Sequence, residues 1–259
     1  MAQRLWSRDE LLIAFSLYCR LPFGKYHSRN ADVMRVAQAI GRTPDALAMR
    51  LSNFASLDPA HQKRGIKGLG STGPALVKFW QEVTADWTRT AVESEQAWDR
   101  SAVSAAGERG AAAEQDVVAG TAGTRTETWA AVKVRTVQTF FRRTVLTSYG
   151  QTCAMCGIKP AALLTAGHII PWSQSEPRRA DPTNGLSLCA LHDRAFDQGL
   201  IGLDEDLKVM VSSKLEVEDP SPTHSEALLN LKGRNLTQPT RYHPDPAALE
   251  WHREWVFTG

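Results

Sequence analysis

The chain has 259 residues, 42% hydrophobic and 22% charged, the balance of a soluble folded protein long enough for two ordinary domains. No run approaches the ~20 apolar residues that cross a bilayer, and the opening MAQRLWSRDELL has neither the apolar core nor the cleavage site of a secretory leader. A cytoplasmic protein with no membrane partner is expected, and in that reducing compartment four cysteines point to metal before disulfides. The net charge of +2 conceals an asymmetry: residues 1–80 carry twelve Lys/Arg against five Asp/Glu, and the remainder eighteen against twenty-three. A basic N-terminal third is the electrostatic footprint of a segment that meets phosphates.

In chain order, Ser7 followed three residues later by Glu10 forms a capping box that opens a helix over DELLIAFSLYCR, stopped by Pro22 and Gly24. A second helix is predicted from about Ala31 to Ile40, with Val33, Val36, Ala37 and Ile40 on one face. Gly41 ends it, Thr43 caps a third, and Pro44 fills that helix's first turn. The third helix presents Leu47, Leu51 and Phe54 inward and Arg50 outward. Helix, short turn, helix is a helix-turn-helix pattern, whose second helix can enter a major groove. Arg42, Arg50, Lys63, Arg64 and Lys67 cluster around it as candidate DNA-binding residues. Trp6, Phe23 and Tyr26 are aromatics that could stack on a base, or simply pack.

One further helix is predicted from about Pro74 to Trp98, closing a helical domain at residues 1–90. Residues 91–127, and above all the Ala/Gly/Ser-rich stretch from 101, read as a linker with too little apolar bulk for a core. A second domain, 128–259, opens with an amphipathic helix bearing Val132, Val137, Phe140, Phe141 and Val145; its Arg142 and Arg143 are candidate DNA-backbone contacts. LIGLDEDLKVMVSS reads as a hairpin, and a last helix, PAALEWHREWVF, is expected to pack through Trp251, Trp255 and Val256.

The chemistry concentrates between Cys153 and Leu200. Cys153 and Cys156 form a C-x2-C knuckle, and Cys189 and His192 a C-x2-H pair, together the four ligands of a closed tetrahedral Zn2+ site. Such a site staples two segments of a small domain. Between the pairs stand AGHIIPW and NGLSLCALHDRAFD.

Over residues 130–202 these motifs resemble the HNH (ββα-metal) endonucleases, and the layout with a helical N-terminal domain resembles bacterial restriction enzymes, some of them modification-dependent. The resemblance implies an α+β protein, with a helix-turn-helix-like domain followed by a zinc-stapled ββα-metal nuclease domain. It implies that His168 is the general base, that Asn184 holds the hairpin loop, and that a β-hairpin and helix grip one Mg2+ or Mn2+ against the scissile phosphate. Imidazole suits the first role because it titrates near neutrality. Asp193 and Asp197, four apart on one helical face, are the candidate catalytic-metal carboxylates.

Two alignments stay open: His192 completes the zinc site, or it is the last H of H-N-H and binds the catalytic metal. Gly167 departs from the family, many of whose members carry Asp or His before the base as a metal ligand. The alternative to an endonuclease of double-stranded DNA is therefore a DNA-binding regulatory protein with a decayed site, and a zinc-ribbon module is a third reading that leaves the His168 segment unexplained. Cutting both strands with one site per chain favours a homodimer. By resemblance the substrate carries modified cytosine.

Overall fold

The structure, a computed structural model, describes residues 4–63, 65, 72–101, 103 and 125–259, with the side chains of Lys63 and of residues 125–129 set aside. Most of the stretch expected to be a linker lies outside the described residues, as do Arg64 and Lys67. The chain forms two compact units, Met1–Phe140 and Phe141–Gly259.

The first unit is helical. Helix α1 (Arg8–Arg20) starts with the capping box, Ser7 Oγ accepting from Glu10 N and the Glu10 carboxylate accepting from Ser7 N. Helix α2 (Ala31–Ala39) is capped by Asn30, and α3 (Pro44–Leu57) by Thr43 with Pro44 in its first turn. Between them Gly41 takes a φ of +64°, which glycine adopts at no steric cost. A short α4 (Pro59–Lys63) follows. The single helix predicted over 74–98 is instead two, α5 (Pro74–Ala85) and α6 (Trp87–Arg100). Asp86 leaves helical geometry and its carboxylate accepts from Arg89 N at 2.9 Å, so a residue that prefers caps to interiors restarts the ladder.

Phe15, Phe54, Phe79 and Trp80 form the centre of this unit, with Phe15 edge-on to Phe54 at 5.7 Å and to Trp80 at 5.9 Å. Such pairs each add about 0.5–1.5 kcal/mol beyond burial.

Helix α7 (Arg125–Ser148) crosses the boundary of the two units. Val137, Phe140, Phe141 and Val145 are buried, while Val132 is 51% exposed. In the second unit β1 (Leu164–His168) and β2 (Gly185–Cys189) pair antiparallel, with Leu164 opposite Cys189 and His168 opposite Gly185. Helix α8 (Ala190–Asp197) follows β2 directly and completes a ββα unit. The predicted hairpin is present as β3 (Ile201–Leu203) and β4 (Val209–Val211). Helices α9 (Pro222–Ala227) and α10 (Pro246–Trp255) close the unit.

The inward face of α10 is Ala248, Leu249 and His252; Trp255, expected to pack, is the last residue of the helix and is 72% exposed, although it stands seven residues after Ala248. Among the described residues no helix is long and apolar enough to cross a membrane.

Candidate metal centre and active site

The two ends of the β-hairpin serve different ends of one site. At the Leu164–Cys189 end, the knuckle is folded by Cys153 N donating to Ile158 O (2.8 Å) and Gly157 N to Cys153 O (2.9 Å). It is tied to β2 by Ala154 N donating to Ser187 O (2.7 Å). This brings Cys153, Cys156, Cys189 and His192 together, with all ligand atoms within 4.8 Å of one another. Cys156 Sγ lies 3.9 Å from Cys189 Sγ, and His192 Nδ1 lies 3.4 Å from Cys153 Sγ and 3.3 Å from Cys189 Sγ.

A tetrahedron with ordinary Zn–S and Zn–N bonds has edges of roughly 3.5–3.8 Å, so the cluster is close to the size of a zinc cage. His192 Nε2 donates to Ala227 O at 2.8 Å, which leaves the Nδ1 lone pair facing the sulfurs and fixes the ring, as the outer hydrogen bond of a metal-bound imidazole does. The Cys153 thiol is pulled well down by hydrogen bonds from Cys189 and His192. That of Cys189 is pushed up by its hydrogen bond to Cys153 and by burial, and that of Cys156 by burial first. Three sulfurs this close share negative charge poorly without a cation, and the donor set fits a divalent one.

At the other end lies His168. Its ring is stacked on Phe141, centroids 3.9 Å apart and planes 9° apart, and meets the edge of Trp172 at 5.8 Å. The stack depends on Gly185, directly across the hairpin: a Cβ there would come within 2.8 Å of the Phe141 ring and 2.5 Å of Val145. Nε2 of His168 is 3.1 Å from Arg179 O. A carbonyl only accepts, so Nε2 carries the proton and Nδ1 keeps the lone pair. Burial lowers the pKa of His168, partly offset by that hydrogen bond, and keeps the ring neutral at pH 7.

Asn184 organises the connection between the strands. Its Oδ1 accepts from Ile170 N (2.8 Å), and its Nδ2 donates to Ile170 O (3.0 Å) and Arg178 O (3.3 Å). One fully buried amide thus stitches both sides of the loop that carries Arg179 O to His168.

Asp193 projects from α8 onto β1, its Oδ1 lying 2.5 Å from where a Cβ on Gly167 would stand. Its carboxyl is pushed up to about 6, by burial first and then by the charge of Asp197, with Arg142 opposing. Asp197 is also raised by burial, with Arg194 opposing. Two carboxylates that disfavour their own charge fit a hard divalent cation through oxygen ligands. Gly167 and His168 alternate on the strand, so the Asp193 carboxylate and the imidazole approach the end of β1 from opposite faces.

The basic residues fare differently. Arg42 is bound to both Glu10 oxygens (3.1 and 2.9 Å) and to the Arg4 and Leu5 carbonyls, with 10% of its side chain exposed. Arg50, expected outward, is half-buried with its guanidinium 4.7 Å from the Trp6 ring, and Arg42 lies 4.6 Å from the same ring. Phe23 and Tyr26 pack in the first unit, on His61 and Tyr18 respectively. Lys63 ends α4. Arg142 and Arg143 are half-buried on α7, and Arg142 donates to Ala161 O at 3.4 Å. Three features were not legible in the sequence: the Asp193–Gly167 contact, the Phe141 stack and the Arg179 carbonyl. Each joins residues at least eleven apart with no local pattern to mark it.

Residues 153–204, the stretch that holds the ββα unit and the Cys3His cluster, match the family described as HNH endonuclease. A solved structure described as a modification-dependent TagI restriction endonuclease is similar over 45% of this chain and 37% of its own length, at 22% identity and a TM-score of 0.35. This chain therefore spans little more than a third of that protein. No curated protein matches.

Proposed function

We propose that the protein is a divalent-metal-dependent endonuclease of double-stranded DNA, with His168 as the general base. The observation that supports it most is the Nε2 contact to Arg179 O, which leaves Nδ1 of a neutral, stacked imidazole free to take a proton. In this reading Asn184 holds the loop that fixes the tautomer, and Asp193 and Asp197 hold Mg2+ or Mn2+. Bound there, the cation stabilises charge on the phosphodiester oxygens. His168 Nδ1 accepts a proton from water, whose oxygen attacks phosphorus in line, leaving 5′-phosphate and 3′-hydroxyl ends.

Cys153, Cys156, Cys189 and His192 are assigned to a structural Zn2+, with His192 outside the catalytic site. The decayed-site alternative rested on Gly167, and the Asp193 carboxylate in the space beside it supports an intact site instead.

Restriction of DNA is the proposed role, with modified cytosine as the proposed specificity and a homodimer as the form that cuts both strands. The direct test is nicking of supercoiled plasmid with Mg2+, Mn2+ or EDTA by the unaltered chain and by His168→Ala. Equal activity of the two proteins would sink the reading. Plasmids carrying cytosine, 5-methylcytosine or 5-hydroxymethylcytosine test the specificity, and equal cutting of all three would exclude it.

A further inference from the structure

Two adjacent arginines on the loop between β1 and β2 are used differently. The guanidinium of Arg178 is paired with Asp245 at 2.5 Å. That of Arg179 makes no ion pair among the described residues; its Nε donates to Trp172 O at 3.0 Å and its Cζ lies over the Trp172 ring, 4.9 Å from the centre. Nε is thereby occupied, and the two terminal nitrogens have no hydrogen-bond partner among the described residues. This is the half of the fork that matches two oxygens of one phosphate.

The position of the fork ties it to the reaction. Trp172 is shared: one contact is to Arg179 and another, edge-on, is to the ring of His168. The backbone of Arg179 is fixed there too, because its carbonyl receives the His168 Nε2 proton. A cation with its Nε bonded, its Cζ over the Trp172 ring and its terminal donors open is held beside His168 before any substrate arrives. Holding it early spares the rotamer entropy that ordering on binding would cost.

We propose that Arg179 is a phosphate-holding residue of this site, its two terminal nitrogens binding the non-bridging oxygens of a DNA phosphate at or next to the cleaved step. The assignment rests on the nuclease reading above. Arg178, committed to Asp245, has no such role.

The test compares the unaltered chain with Arg179→Ala and Arg179→Lys. Single-turnover nicking of supercoiled plasmid in Mg2+ is followed across a pH series, and binding of a fluorescein-labelled duplex cut from that plasmid is followed in EDTA across a KCl series. Arg179→Ala is expected to slow nicking about 100-fold, as loss of one charge-stabilising donor does. It is also expected to reduce the slope of log affinity against log salt by about one. Arg179→Lys should restore the slope and only part of the rate, since an ammonium keeps the charge without the fork.

The acid limb of the pH profile should not move in either variant, because the carbonyl that serves His168 remains. Unchanged rate and slope in Arg179→Ala overturn the assignment while leaving the nuclease reading intact. A lost rate with unchanged slope and a displaced acid limb also overturns it, showing that Arg179 acts through His168. No nicking by the unaltered chain removes the nuclease reading, and this assignment with it.

Discussion

Asp193 fills the space that Gly167 leaves empty: a Cβ on Gly167 would stand 2.5 Å from Asp193 Oδ1 and 3.3 Å from Leu188 Cδ1. The glycine ahead of His168 is therefore the reason a helix carboxylate can lie against the strand. Gly167→Ala is expected to push that carboxylate aside at little cost in stability, since the atom it meets ends a rotatable side chain. Metal affinity should fall by about 10–100-fold, the usual effect of disturbing the groups around a metal site. Titrating nicking with Mn2+ against the thermal midpoint checks it; a wild-type metal requirement would show that Asp193 does not bind the cation.

If His168 is the base proposed above, it is expected to set the acid limb of the pH profile. Burial favours the neutral ring, so its pKa lies below the ordinary value of about 6.5. A base works when unprotonated, so the rate at saturating metal should rise with pH, reach half-maximum below about 6.5 and be flat through neutrality. A limb centred above 7 would contradict the geometry of the Phe141 stack.

The cysteine cluster is expected to hold one Zn2+ per chain, measured by elemental analysis of purified protein. Cys156→Ser or His192→Ala should lose the metal and unfold the second unit, because the ion joins the knuckle to β2 and α8. A variant that keeps stoichiometric zinc and full stability would remove the cluster from the metal's ligand set.

His252 makes the second unit acid-sensitive. It is buried, stacked on Phe196 at 3.7 Å, and its pKa is lowered to about 4, by burial first and then by Arg253. The unfolded ring takes its proton near 6.5, so the stability is present above that value and is lost as pH falls toward 4. At pH 5 the loss is about 2 kcal/mol. The difference in urea denaturation between the unaltered chain and His252→Gln at pH 7 and pH 5 isolates it; parallel losses in both would exclude His252 as the source.

Arg42 is expected to matter to folding before DNA. Its pairing with Glu10 is largely buried, and removing one partner of such a pair costs about 3–5 kcal/mol. Arg42→Ala should lower the thermal midpoint of the first unit clearly; an unchanged midpoint with weakened DNA binding would restore the groove-facing role expected from its charge.

The local rules carried most of the architecture. Ser7 with Glu10, Asn30, Thr43 with Pro44 and Gly41 each act within a few residues, and each element they announce is present. The break at Asp86 was missed because an apolar face continues across it from Trp80 to Trp87, and only the cap geometry interrupts the ladder. Spacing alone also left His192 with two alignments. What orients its ring is the carbonyl of Ala227, thirty-five residues further on, which no motif announces. Charge counts located a basic first third but could not tell an arginine facing solvent from one folded onto Trp6 and Glu10, since that depends on tertiary partners.

The tautomer of His168 is set by a main-chain oxygen, and main-chain atoms are common to every residue type. Position 179, and the loop around it, can therefore exchange side chains without reversing which imidazole nitrogen is free, provided Asn184 still pins the loop's path. Under the proposed roles, proton transfer and the grip on the nucleic acid are in this way separable: side chains of the strand-to-strand segment can change while the nitrogen left free on His168 stays the same.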